Sequence, residues 1–207
     1  MRLLAFVHSP LVLFARSRGL LMAAPLAVLV AAWCLKAYIE IVQNPLLETA
    51  GALLIALGGL GAGVFCSMMF DTSMAHLEAV VPARRLRALR LGWLVALVVI
   101  VGVAGTVALL VRGVNGWYVV MHWRNTLQGV GLACLSACLL PRAAAWTVPA
   151  TALALCWLLG IKDLAGTPRL LAFPCYLPNS GLAWAVTAAL FAVAAGVYAW
   201  RDAWKGA

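Results

Sequence analysis

The sequence predicts an all-α fold: a polytopic integral membrane protein with six transmembrane helices, both termini cytoplasmic, and an amphipathic N-terminal helix. Three observations predict it. Of the 207 residues, 66% are hydrophobic and 10% charged, with a mean hydropathy of +1.04. A soluble domain carries roughly 45–50% apolar and about 25% charged residues. The apolar residues also gather into runs near the roughly 20 residues that a helix needs to cross hydrocarbon. Finally, the basic residues behind the net charge of +9 sit at the ends of those runs. That placement follows the positive-inside rule and not the footprint of a nucleic-acid binder, so nucleic acid is not an expected partner.

The elements follow in order. Residues 1–18 read as an interfacial helix, with Leu3, Leu4, Phe6, Val7, Leu11 and Phe14 available to the acyl boundary and Pro10 as a break or kink. Charges at Arg16 and Arg18, with no small-residue cleavage site before the first long run, argue against a cleaved signal. Spans are predicted at about 20–38, 50–70, 91–111, 125–140, 143–160 and 181–200, forming a single transmembrane domain over 1–207. The fourth and fifth are short and separated only by Pro141 and Arg142, which predicts a tight helical hairpin.

With the N-terminus inside, the cytoplasmic segments hold Arg2, Arg16, Arg18, Arg84, Arg85, Arg87, Arg90, Arg142, Arg201 and Lys205. The outer segments hold Lys36, Arg112, Arg124, Lys162 and Arg169, so ten basic residues against five orient the chain. Trp33, Trp93, Trp117, Trp123, Trp200 and Trp204 fall near predicted span ends, at the expected headgroup level. The outer loop 161–180 is apolar and punctuated by Pro168, Pro174 and Pro178; it reads as a re-entrant or interfacial element, with a plain surface loop as the other possibility. Twelve arginines against three lysines, among abundant Ala, Val, Leu and Gly, suggest a GC-rich bacterial genome and hence a bacterial cell membrane.

Chemistry-bearing residues are sparse. Cys34, Cys66, Cys134, Cys138, Cys156 and Cys175 are scattered; Cys134 and Cys138 share a helix face but have no converging His or CxxC partner. They read as small buried hydrophobes, and no metal site is expected. His8, His76 and His122 are all placed at interfaces or in loops, outside the spans where haem ligands would stand. Glu40, Glu48, Asp71, Glu78, Asp163 and Asp202 fall near or beyond span ends, which disfavours a proton-coupled carrier; Lys36 can snorkel. There is no GxSxG, HExxH or GxxxxGK[ST] pattern, so neither a catalytic site nor an ATP site is expected, and no cofactor is called for. In GGLGAG (58–63), Gly59 and Gly63 lie four apart and suit close helix packing, within the chain or against another subunit.

The one long polar interruption is FDTSMAHLEAVVPARRLRALRLGW, residues 70–93. Asp71 or Thr72 can cap a short helix ended by Pro82, with Met74, Leu77 and Val81 on one face. A second helix can start at Pro82 and run through Arg84, Arg85, Arg87 and Arg90, the topology anchor, into span three. An ordinary inside loop holding topology and binding anionic lipid would look the same.

This order of parts resembles the type-2 ABC exporter permeases. The likeness covers nearly the whole chain as architecture; its motif is LEAVVPARRLRALRLGW, with Glu78, Pro82 and Arg84 to Arg90 as matching positions. The family's usual Glu-Arg-Glu start is absent, with Ala75, His76, Leu77 and Glu78 in its place. The resemblance implies a permease subunit of an ATP-driven exporter, paired with itself or a sister chain and with a separate cytoplasmic ATPase. Asp71, Met74, Leu77, Glu78, Val81 and Pro82 would then form the coupling helix in loop 71–90. A non-transporting accessory or scaffold subunit remains the alternative, and a membrane enzyme acting on lipid or isoprenoid substrates a more distant one.

Overall fold

The computed structural model describes residues 20–43, 48–70, 81–159 and 180–201. Among them there is no strand; six α-helices follow one another as α1 (Leu20–Gln43), α2 (Glu48–Cys66), α3 (Ala83–Val111), α4 (Gly116–Leu139), α5 (Thr147–Leu159) and α6 (Gly181–Arg201). Short 3₁₀ turns at Ser67–Met69 and Arg142–Ala144 close α2 and lead into α5. Two helices, α3 and α6, are long and apolar enough to cross a membrane.

Side-chain and glycine contacts give the helix directions. Gly59 meets residues 122–126 and Gly63 meets Gly129, so α2 and α4 run parallel. Gly131 lies against Leu190 and Phe191, and Cys134 Sγ faces the Ala194 carbonyl at 3.7 Å, so α6 is parallel to them. Trp93, near the start of α3, bonds the Met69 carbonyl just past the end of α2, so α3 is antiparallel to α2 and α4. This alternation gathers Arg84, Arg85, Arg87, Arg90, Arg142 and Arg201 at one end of the bundle and leaves Arg112 at the other.

Burial is distributed in an unusual way. The face of α3 carrying Trp93, Leu94, Leu97, Val98, Val101, Gly102, Gly105, Ala108 and Leu109 is buried. Its opposite face exposes Leu91, Val95, Val99, Val103, Val107 and Leu110. Those residues extend over about 29 Å of helix, close to the roughly 30 Å of a bilayer's hydrocarbon core. By contrast α4 is enclosed by α2, α3, α5 and α6, and it is the helix with the most polar buried side chains.

Several boundaries differ from the sequence expectation. The third helix takes in the arginines, as expected, but begins at Ala83, and Pro82 is its extended N-cap (φ −52°, ψ 134°), not its first helical residue. Arg90 is buried at 8% exposure, unlike the exposed Arg84 and Arg85. Trp93 does not sit at an interface: it is 1% exposed and donates Nε1–H to the Met69 carbonyl at 2.9 Å. In α1 the helix continues to Gln43, seven residues past an exposed Lys36.

The largest correction concerns α4. The expected loop of residues 112–124 shrinks to Arg112–Asn115. Gly113 takes φ +69°, where a side chain would be strained, and ends α3 in a Schellman motif: Val114 N–H donates to Leu109 O (3.2 Å) and Gly113 N–H to Leu110 O (2.9 Å). Asn115 then caps α4, its Oδ1 accepting from Trp117 N–H at 3.1 Å. The helix therefore starts at Gly116, nine residues earlier than the predicted span.

Candidate functional site in the fourth helix

Starting α4 at Gly116 draws HWRNTLQ, residues 122–128, into the bundle. His122, Arg124, Asn125 and Thr126 are 0% exposed and Gln128 2%. The expectation that His122 lies in a loop and Arg124 in an outer segment is thus overturned. At the level of this turn, α3 presents Val101 and Gly105, at the middle and in the C-terminal half of its apolar run, and α2 presents Gly59. The polar turn therefore stands deep within the apolar length of its neighbours.

Small residues make room for it. A Cβ on Gly59 would lie 2.8 Å from the Thr126 amide nitrogen and 2.9 Å from the His122 carbonyl oxygen; one on Gly63 would strike the Gly129 carbonyl. The α2 glycines thus serve contact within the chain, backbone against backbone. On the α3 side, a Cβ on Gly105 would collide with the His122 ring, and one on Gly102 would come to 2.5 Å from Trp123 Cζ3. Trp123 in turn donates Nε1–H to Thr106 Oγ1 at 2.8 Å.

The hydrogen bonding of the turn is incomplete. Arg124 Nε–H donates to Asn125 Oδ1 at 3.3 Å. His122 Nε2 lies 3.3 Å from the Val101 carbonyl oxygen, an acceptor only, so Nε2 carries the proton and Nδ1 presents a lone pair. His122 Nδ1, Thr126 Oγ1 and Gln128 Oε1 are buried and have no hydrogen-bond partner. Buried polar atoms in folded proteins are almost always bonded, so three on two turns of one helix make this turn the candidate site. Among the described residues no three His, Cys, Asp or Glu side chains converge as a metal site would require. Cys34, Cys66, Cys134, Cys138 and Cys156 are buried and in no disulfide.

Of the coupling-helix residues, Asp71, Met74, Leu77 and Glu78 lie outside the described residues, as do His8, His76, Cys175, the segment 1–18 and residues 161–179. The flanks of residues 71–80 are held together. Met69 receives the Trp93 hydrogen bond, Phe70 packs edge-on against Tyr198 with ring centroids 5.2 Å apart, and the Arg87 guanidinium sits 3.5 Å over the Trp200 ring. Val81 is half-buried and Pro82 exposed. The loop thus leaves and re-enters where α2, α3 and the end of α6 meet, beside Arg84 and Arg85. Compared with known protein families, curated proteins and solved structures, the chain matches none.

The signals for α4 were present in the chain. Gly113 after an apolar run and Asn115 before GWYVVMHW are helix stop and start residues. They were outweighed by hydropathy, which reads HWRN as a loop because it scores each residue alone.

Proposed function

We propose that this chain is a six-span permease subunit of an ATP-driven exporter in a bacterial cell membrane, coupled to a separate cytoplasmic ATPase through the loop between α2 and α3. The observation that carries the transport reading is α4: a helix bearing His122, Arg124, Asn125, Thr126 and Gln128 in the centre of a bundle whose outside is valine and leucine. Polar and ionisable side chains are costly inside a membrane, and where they persist they commonly line the route of a substrate.

The ATP-driven part of the reading rests on the resemblance carried by Glu78, Pro82 and Arg84 to Arg90, and is supported by where residues 71–80 emerge. Their flanks are clamped to α3 and α6 by Trp93, Phe70 and Arg87, so a push on the loop is passed to three helices at once. A second permease subunit, the same or a sister chain, has a candidate surface in α6, which exposes Gly181, Ala185, Ala189, Ala192 and Gly196 beside Leu182, Val186 and Val193.

The test is copurification of the tagged chain with a cytoplasmic ATPase, and ATP hydrolysis by the complex. Glu78→Arg or Leu77→Asp is expected to abolish both association and stimulated hydrolysis. Unchanged assembly and rate in both variants would sink the coupling role and leave an accessory subunit.

A further inference from the structure

We propose that His122 and Thr126 form a hydroxyl-binding site at the junction of α2, α3 and α4, in which His122 Nδ1 accepts an O–H and Thr126 Oγ1 makes a second hydrogen bond to the same oxygen or its neighbour. The inference does not depend on ATP coupling. It starts from the way other buried hydroxyls in this chain behave. Ser67 donates to the Val64 carbonyl at 2.7 Å, Ser136 to the Ala145 carbonyl at 2.5 Å and Thr187 to the Ala183 carbonyl at 2.8 Å. Ser67 and Thr187 bond back to their own helix and Ser136 to a carbonyl beyond its helix's end, and finding a backbone carbonyl is the ordinary way for a helical hydroxyl to satisfy itself away from water. Thr126, 0% exposed, does not do this and has no partner at all.

One turn before it, on the same face, His122 Nδ1 is also buried without a partner, and the two side chains are not bonded to each other. Positions i and i+4 place their Cβ atoms about 5–6 Å apart, a separation that one oxygen can bridge. The tautomer sets the chemistry of the ligand. Because Nε2–H is committed to the Val101 carbonyl, Nδ1 can only accept.

A fully deprotonated anion has no proton to give to Nδ1. A cation would enter a junction whose described α2 and α3 contacts with His122 are Gly59, Val101 and Gly105, none charged. The nearest described charge on α4 is Arg124, two positions on and about 200° around the helix; like-charged, it would oppose a cation. A neutral O–H fits both atoms. It can come from water or from a hydroxylated amphiphile dissolved in the bilayer.

The full-length protein with His8→Gln and His76→Gln keeps His122 as its single imidazole, since the chain has three histidines. In lipid nanodiscs, nitrogen-15 NMR of that ring reads whether Nδ1 is bare, hydrogen-bonded or protonated. A hydrogen-bonded Nδ1 receiving magnetisation from water, lost in Thr126→Val and retained in Thr126→Ser, is the expected result and makes water the source. A bare Nδ1 that becomes hydrogen-bonded only when octyl glucoside is added supports the site with a hydroxylated amphiphile as the source. Should Thr126→Val not reach a monodisperse state, Thr126→Ala provides the same comparison. A bare or protonated Nδ1 under both conditions, or a bond that is equally strong without the threonine hydroxyl, overturns the proposal.

Discussion

Two helices of this molecule, α3 and α4, meet along their length and follow opposite rules. Outside its basic first turns, α3 is hydrocarbon, and it turns a row of valines outward while burying glycine, tryptophan and leucine. Its partner α4 carries an arginine, a histidine, an asparagine, a threonine and a glutamine within seven residues and turns all of them inward. In water the free-energy order would be the reverse, with polar groups outside and the valines covered. The contrast teaches that the surface of α3 is matched to hydrocarbon, whereas the interior around α4 is matched to polar contact.

The most severe way to break this contrast is at the backbone contact that lets α4 into the centre. Gly63→Leu would force a side chain into the Gly129 carbonyl, and is expected to cost about 3 kcal/mol or more, seen as loss of monodisperse protein or a large drop in unfolding midpoint. The outer face is tested by Val103→Asp. If that face meets hydrocarbon, the substitution costs about 3 kcal/mol in membrane insertion, whereas on a water-facing surface it would fall within about 0.5 kcal/mol. A measured change near zero would remove the bilayer from the comparison.

Smaller effects sharpen it. Trp93→Phe keeps an aromatic but loses the second ring and the donor to the Met69 carbonyl, with an expected loss of about 2 kcal/mol and faster hydrogen exchange at the α2–α3 end. Arg87→Ala removes the guanidinium from the Trp200 ring at the rim of the bundle, an expected loss of about 0.5–1 kcal/mol. If Arg87→Ala were the costlier of the two, the end of the bundle would be held by its rim and not by the buried indole.

The legibility of the chain divides along the same line. The apolar run of α3 and the bounds of α6 were readable because a helix facing hydrocarbon needs only apolar residues in sequence, each contributing by itself. Hydropathy starts span four only at residue 125 because Arg124 and His122 weigh heavily against burial when scored alone. Trp93 was assigned to a headgroup belt from its position near a run's end, and only the carbonyl of Met69, twenty-four residues away, gives its indole a buried partner. Gly59 and Gly63 were recognised as a packing pair, yet two partners were open to them, another subunit or another helix of the same chain.

By itself the sequence determined that the chain is helical and overwhelmingly apolar, that the apolar runs 91–111 and 181–200 belong to helices long enough to cross a membrane, and where its basic residues concentrate along the chain. These are sums over neighbouring residues, and burial from water is close to additive in apolar area. Only the tertiary structure decided that HWRNTLQ is interior, that the α2 glycines seat α4, and that His122 and Thr126 stand side by side without partners. Those outcomes depend on which backbone can approach which, and a buried hydrogen bond is made or missed by the identity of the group across the interface.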